Sequence, residues 1–408
     1  MANQISVTNL VANALLAEFS TNNSLILTGA RTYESDMPLP AYRTGDTIQI
    51  RRQNQFLVSD GRVGVIQPVI ETTEPLTIAH QFHSEIEYSS KELTMFVDTG
   101  AGPFNERYVR PIIQNISKQF ESAIAEDAKL QLNYVSGNPS APVNSFSVLD
   151  LTYAKMQSLA IQVNNDAYLA LDPFQAAALR DTNQNAFNSI LNTDISFASR
   201  LGHMSVFDVF SNQSIPTQTV GVGAVGATVA STPLSGATTV NLTGLGATVT
   251  GVYNAGDIIY FDSVNSVNPL DRRDTRRLMS FTVQSQVNSD GAGNATVTIS
   301  PAIISDPASP YRNVSIPVVA TMPVTLEGTP GSTYTVNLAY PPRGLDIVIP
   351  PMEVLNNVDT SVVTDKDLNI SLRVGRQGNL LNDVNMLRVD ILCGWKWHQQ
   401  YGIRVHSL

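Results

Sequence analysis

The sequence predicts an α+β chain in which a small β-barrel interrupts a mixed α/β unit. Three observations predict it. Residues 104–134 form one long run of helical periodicity. From about 221 to 340, Gly, Thr, Val and Ser dominate, helical periodicity vanishes, and short strand patterns follow one another with turn signals between them. From 344 the mixed pattern resumes, so the β-rich stretch reads as an insertion.

The elements follow in order. Ile5, Leu10, Val11, Ala14, Leu15 and Phe19 recur at helical spacing over 3–20. Such a short helix needs something to pack on, and a neighbouring subunit is one candidate. Thr47–Arg51, Leu76–Phe82 and Ser84–Ser89 alternate at period two, as half-buried strands do. Between them, Gln53 to Pro75 offers little that could bury itself. This predicts a two-stranded arm over 46–98 that is marginal alone and lies on a partner.

Tyr108, Val109, Ile112, Ile113, Ile116, Phe120, Ile124, Ala128 and Leu132 share one face of the long helix. Its length is roughly 45 Å, and Pro111 sits early enough to bend rather than break it. Beyond it come a helix at 149–163, a strand at 167–171, a helix opened by Asp172-Pro173, and a strand ending at Phe210. Val220 to Gly226 reads as a flexible linker. Strands are then expected at 238–242, 258–261, 279–287, 295–299, 315–319 and 334–338, making a barrel or a sandwich. Ser289 to Asn294 is a hairpin turn. The closing strands are 345–349, 369–374 and 386–397.

Composition narrows the function. The 408 residues are 43% hydrophobic, enough for two or three cores. Only 15% are charged, against about a quarter in most domains, and the net charge is −10. A specific nucleic-acid binder would carry a basic field instead. The N-terminal residues lack a basic region and a long apolar stretch, so no signal peptide is expected. No run is long and apolar enough for a membrane helix, so no membrane partner is expected.

The chemistry is sparse. The single cysteine, Cys393, lies in an apolar run and reads as a small buried hydrophobe. His80 and His83 are three apart in an alternating strand, on opposite faces, which suits no metal site. The Gly-rich run lacks the Lys-Ser/Thr pair of a phosphate loop. No carboxylate pair presents itself for acid–base work. No catalytic, cofactor-binding or metal-ligating residue is therefore expected. Trp395 and Trp397 share a face and read as core.

Asp271-Arg272-Arg273-Asp274-Thr275-Arg276-Arg277 is the one dense charge run. It reads as a solvated loop or as an intersubunit ion-pair loop, since Arg forks suit carboxylates, and nucleic-acid contact comes third because no aromatic residue interleaves the run. With Arg51, Arg52 and Arg62 of the arm, its Asp271, Arg272, Arg273, Asp274, Arg276 and Arg277 are the candidate intersubunit contacts.

The order of helical arm, hairpin arm, long spine helix and α/β remainder resembles the Hong Kong-97-type capsid fold of tailed phages. Short runs sharpen the resemblance to the P-twenty-two-type coat proteins, which carry an insertion at this point. They are Val206-Phe207-Asp208-Val209 with Ile215-Pro216, Ala255-Gly256-Asp257-Ile258-Ile259-Tyr260-Phe261, Val283 and Val287, Ala295 to Pro301, and Met386 to Trp395.

The resemblance implies an N-terminal arm at 1–45, an E-loop at 46–98 and a P-domain with the spine helix at 99–136. It also implies an A-domain, with closing P-domain strands, at 137–221 and 341–408, and an inserted barrel at 222–340. It implies a non-enzymatic major capsid protein, assembling from pentamers and hexamers into an icosahedral shell around double-stranded DNA. The DNA is a neighbour by proximity. A separate scaffolding protein and a portal protein are implied partners. The expected location is the virion, after synthesis and assembly in the host bacterial cytoplasm. The alternatives are a decoration or tail protein, which would usually lack the long helix, and a carbohydrate-active enzyme, which would need a carboxylate pair.

Overall fold

The computed structural model describes residues 24–31, 47–52, 54–58, 73–89, 110–163, 166–184, 202–365 and 369–408, with single positions at 12, 15, 16, 19, 60, 62, 66 and 69. Their contacts divide them into two units. One takes in 1–51, 73–124 and 345–396, the other 52–72, 125–344 and 397–408.

In the first unit, Val384–Trp397 is the central strand. Ile370–Asn379 lies along one side of it, and Asp359–Asp365 pairs with Ile370–Asn379 in turn. His80–Ser89 pairs with it antiparallel from Cys393↔His80 to Val384↔Ser89, and Leu345–Val348 is its other neighbour. The sequence places residues 80–89 in the arm. Their pairing shows that they belong to this sheet. The two-stranded arm is Thr47–Arg51 against Thr73–Thr77, and its base is anchored, with Ile50, Leu76 and Ile78 packed beside Val348.

This sheet carries a buried ion network. The Asp390 carboxylate accepts from Arg373 Nη2 at 2.8 Å, Arg388 Nε at 2.8 Å and Gln81 Nε2 at 3.0 Å. Burial pushes its pKa up, but the bonds from Arg373, Arg388 and Gln81 outweigh burial and hold it below the ordinary value. His80 stacks on Trp395 at 4.3 Å, while His83 lies 3.1 Å from Glu85. Cys393 is buried, and burial raises its thiol pKa, so it behaves as the inert small hydrophobe that its apolar run predicts.

The long helix spans Arg110–Gln131, and the unit boundary falls inside it. Tyr108 and Val109 lie outside the described residues. The other predicted apolar positions, Ile112 to Leu132, are all buried. Within the first unit the buried Glu121 accepts the Leu25 amide at 2.9 Å, tying the short helix Ser24–Thr28 to the spine. Of the predicted N-terminal helix, Ala12, Leu15, Leu16 and Phe19 are described. They are helical and buried within the chain itself, so this face needs no neighbouring subunit. Ile5, Leu10, Val11 and Ala14 lie outside the described residues.

The second unit holds a seven-stranded sheet and a barrel. The sheet order is Tyr134–Gly137, Ile403–Ser407, Thr333–Tyr340, Ala167–Leu171, Phe207–Ser211 and Gly202–Met204, with Thr217–Thr219 also on Thr333–Tyr340. The helices Phe146–Ser158 and Pro173–Gln184 cover it through Leu149, Met156, Ala176 and Leu179. Thr333–Tyr340, expected in the insertion, is thus a sheet strand.

The barrel runs through Val324–Leu326, Ile258–Val267, Asp274–Val283, Ala295–Ile303, Ala237–Thr243 and Thr228–Val229. It closes on itself, because Val229 N–H donates to Met322 O at 3.0 Å and Val324 N–H to Ala227 O at 2.9 Å. Closure removes the open edges that would invite foreign strands. Phe261 and Phe281 meet edge to face at 5.3 Å in a core shared with Val240, Leu242, Ile259 and Val297. Residues 315–319 form no strand. Pro317 has no amide to donate, and the Arg312 guanidinium takes the carbonyls of Val314 and Ser315.

Candidate functional site

The barrel joins the sheet through paired strands. Thr219 faces Thr333, Gln218 faces Tyr334 and Thr217 faces Thr335, so the chain leaves the sheet and returns to it side by side. Val220 N–H donates to Ser332 O at 2.8 Å, one step further on. The segment after it is not the flexible linker that its composition suggests. Val222 and Gly223 donate to Gly251 O and Val252 O. A Cβ on Gly221 would sit 2.4 Å from Val252 O, which is why glycine stands there.

Asp257 organises this junction. It is buried, and its carboxylate accepts the Gly221 amide at 2.9 Å, the Asn254 amide at 2.8 Å and Gln218 Nε2 at 2.8 Å. Burial raises its pKa, and those bonds and the Arg404 charge pull it part of the way back.

The same junction caps the spine helix. The last carbonyls of an α-helix lack intrahelical donors. Here Gln284 Nε2 serves Leu130 O at 2.9 Å, and Thr282 Oγ1 serves Leu132 O at 3.0 Å just beyond the helix. Arg404 Nη1 bridges Lys129 O at 2.7 Å and Gly256 O at 2.9 Å. Two of these donors come from the barrel and one from the final sheet strand. Burial lowers the Arg404 pKa, and Tyr334, Tyr260, Asp257 and Glu327 oppose that fall. Beside it, His406 is fully buried and lies 4.4 Å from the Tyr334 ring. Burial, then the charges of Arg404 and Lys155, push its pKa well below the ordinary value. Burial lowers the Lys155 amine to about 8, with Glu327 opposing and Arg277 adding to the fall. None of this was legible in the sequence, because the partners stand up to 275 positions apart.

The charge run is the far end of the barrel's longest hairpin, Ile258–Val267 against Asp274–Val283. Its aspartates are turn-formers. Asp271 Oδ1 accepts the Arg273 amide at 3.0 Å, and Asp274 Oδ1 accepts the Arg276 amide at 2.6 Å. Arg272 donates to Pro310 O and Ser309 O, so its guanidinium is engaged within its own chain. Arg273, Arg276 and Arg277 are exposed. In the arm, Arg51 and Arg62 are exposed and Arg52 is half-buried. Phe56, Val58, Ile66 and Val69 are exposed as well, an apolar content that the reading of 53–75 as polar passed over. Among the described residues, no group of three His, Cys, Asp or Glu side chains could hold a metal ion.

A sequence model of the family described as P22 coat protein, gene protein 5, matches residues 84–399. No curated protein matches the chain in sequence. Solved structures with similar folds include one from Mycobacterium phage Che8, at 11% identity and a TM-score of 0.45, covering 95% of this chain and 90% of that one. The capsid of Ralstonia phage GP4 gives 10% identity and a TM-score of 0.44, with the same coverage. The CUS-3 coat protein I-domain gives 22% identity and a TM-score of 0.20, covering 26% of this chain and 97% of that one.

Proposed function

The chain belongs to the P22 coat protein family and is a non-enzymatic major capsid protein of the Hong Kong-97-like fold that forms the phage shell, and from that premise we propose how it holds its neighbours. The family match over 84–399 carries the capsid assignment and decides against the decoration, tail and carbohydrate-active readings.

In our reading, 1–45 is the N-terminal arm and the E-loop is the hairpin around 47–77. The spine helix belongs to the P-domain. The seven-stranded sheet is the A-domain, and the insertion runs from about Val220 to Ser332. Copies assemble as pentamers and hexamers into an icosahedral shell, with a scaffolding protein, a portal protein and double-stranded DNA as further partners. Assembly takes place in the host bacterial cytoplasm, and the finished subunit is part of the virion.

The contacts between copies run through the two arginine groups. Arg51, Arg52 and Arg62 orient the arm on a neighbouring copy. Asp271, Arg272, Arg273, Asp274, Arg276 and Arg277 form the second contact, in which Arg273, Arg276 and Arg277 reach across to carboxylates. What supports this is the division of labour at the hairpin end. The run holds four arginines against two aspartates, so it carries a net charge of +2 on a chain of net charge −10, and the aspartates accept backbone amides rather than pairing with the exposed guanidiniums. Such exposed pairs are worth about 0–1 kcal/mol each, but a closed shell repeats every one of them.

The test is negative-stain microscopy of the purified protein beside Arg273→Glu/Arg276→Glu/Arg277→Glu. The parent should give rings or shells, and the variant should melt alike but give far fewer particles. Equal particle yield would remove the hairpin from the contact set.

A further inference from the structure

The joint that caps the spine helix contains buried polar atoms that the protein's own groups leave unserved. Arg404 is fully buried, and its Nη1 is spent on Lys129 O and Gly256 O. Its Nε and Nη2, the side-on edge of the guanidinium, have no protein partner among the described residues. The same holds for the Tyr334 hydroxyl and for both ring nitrogens of His406. Each of these side chains is at most 2% exposed. Arg404 and His406 are two apart on one strand, so they share a face, and the Tyr334 ring lies 4.4 Å from that of His406.

The barrel side of the joint shows the same shortage. Ser280 stands opposite Tyr260 and two residues before Thr282, whose hydroxyl serves Leu132 O, so it faces the spine end. Its Oγ is buried and unserved, and so is Asn133 Oδ1, although Asn133 Nδ2 donates to Ser280 O at 3.0 Å. Buried polar groups are nearly always hydrogen-bonded, and an arginine that leaves its bidentate edge unused is costly to bury. So many unserved atoms around one joint mark a site for a small polar ligand.

The chemistry chooses between an oxyanion and water. The Arg404 edge alone would suit an oxyanion. Yet the carboxylates of Asp257 and Glu327 already act on that guanidinium, so an anion would be held against both. The donors and acceptors decide further. His406 is neutral at neutral pH, so one ring nitrogen donates and the other accepts. Asn133 Oδ1 only accepts. An anion can serve the donors and leaves these acceptors stranded, whereas water serves both kinds.

We propose that this joint binds ordered water, which bridges the side-on edge of Arg404 to the Tyr334 hydroxyl and the His406 ring. The spine end, the barrel and the final strand then meet through a wet polar joint rather than through direct side-chain pairs. Bridging waters hold such groups nearly as well as direct bonds do.

The first test is the density of the assembled shell, at a resolution that shows single waters. Peaks should lie within about 3.2 Å of Arg404 Nε or Nη2 and of the Tyr334 hydroxyl. They should keep their height when bromide replaces chloride in the buffer. A bare Arg404 edge would overturn the proposal. So would a peak that grows in bromide, since that marks an anion.

The second test reads a sign. If water uses the Tyr334 hydroxyl, Tyr334→Phe removes a bond, and the folded-to-unfolded ratio of the whole chain should fall about fivefold, with a lowered melt. If the hydroxyl is buried dry, the same change removes an unmet desolvation cost and the melt rises. A raised or unchanged melt would overturn the proposal.

Discussion

The inserted barrel and the arm are both β-structure, and they solve the problem of open strand edges in opposite ways. The barrel closes through Val229, Met322, Val324 and Ala227 and fills itself with Phe261, Phe281, Ile259 and Val297. The arm has two strands, an anchored base at Ile50 and Leu76, and exposed Val58 and Ile66 beyond it. Two strands alone are marginal in water, whereas a closed barrel with its own core is not. The difference teaches that the barrel takes its order from its own residues, while the arm has its base packed within the chain, and our proposal is that neighbouring copies order the rest.

Excision should show the largest effect. Residues 217–335 retain the pairs Thr219↔Thr333 and Thr217↔Thr335, and should give a β-type circular dichroism spectrum and one cooperative melt. Residues 46–98 should give neither. An unfolded barrel fragment would break the comparison.

Asp257→Ala comes next. It takes the acceptor from the buried amide of Gly221 and from the part-buried amide of Asn254, while Gln218 Nε2 keeps the Ala255 carbonyl. Stranded buried donors cost about 1–3 kcal/mol each, so a lowered melting temperature of the whole chain is expected. A melt equal to that of the parent would mean that the junction is not held by this carboxylate.

A pH series sharpens the same junction. His406 has a depressed pKa in the fold, with Arg404, Lys155 and Tyr334 around it. Above an unfolded value of about 6.5 it is neutral in both states and costs nothing. Below that, the unfolded chain takes up a proton that the folded chain resists, so stability falls as pH drops. The melting temperature should decline from pH 7 to pH 5, and the decline should shrink in His406→Gln. An identical decline in the variant would place the acid sensitivity elsewhere.

These effects show what the sequence could carry. Four of the six barrel strands and the spine helix were legible, because period two and period 3.6 are local signals. The end of the insertion was not, since Thr333–Tyr340 alternates like the barrel strands before it. Alternation records a buried face, not which sheet owns it. The Gly-rich run looked like a linker because the carboxylate that pins Gly221 lies 36 positions downstream. Arginine clusters announce themselves in a sequence. Arg404 does not, since a lone arginine in a strand shows its burial and its unserved edge only once the fold is seen.

The smallest stability effect belongs to Arg51→Glu/Arg52→Glu. Surface changes of this kind usually stay within about 0.5 kcal/mol. The melt should therefore hold while particle yield falls, and the defect should change with ionic strength. A collapsed melt would place these arginines in the subunit's own fold.

Hydrogen exchange of backbone amides, read in the unassembled subunit and again in purified particles, tests the contrast most directly. Amides of Ala237–Thr243, Asp274–Val283 and Ala295–Ile303 should exchange slowly in both. Amides of Phe56, Val58, Ile66 and Val69, beyond the anchored base, should exchange quickly in the subunit and gain at least about tenfold protection on assembly. Equal protection of the arm before and after assembly would contradict the account, because the arm would then owe its order to its own chain.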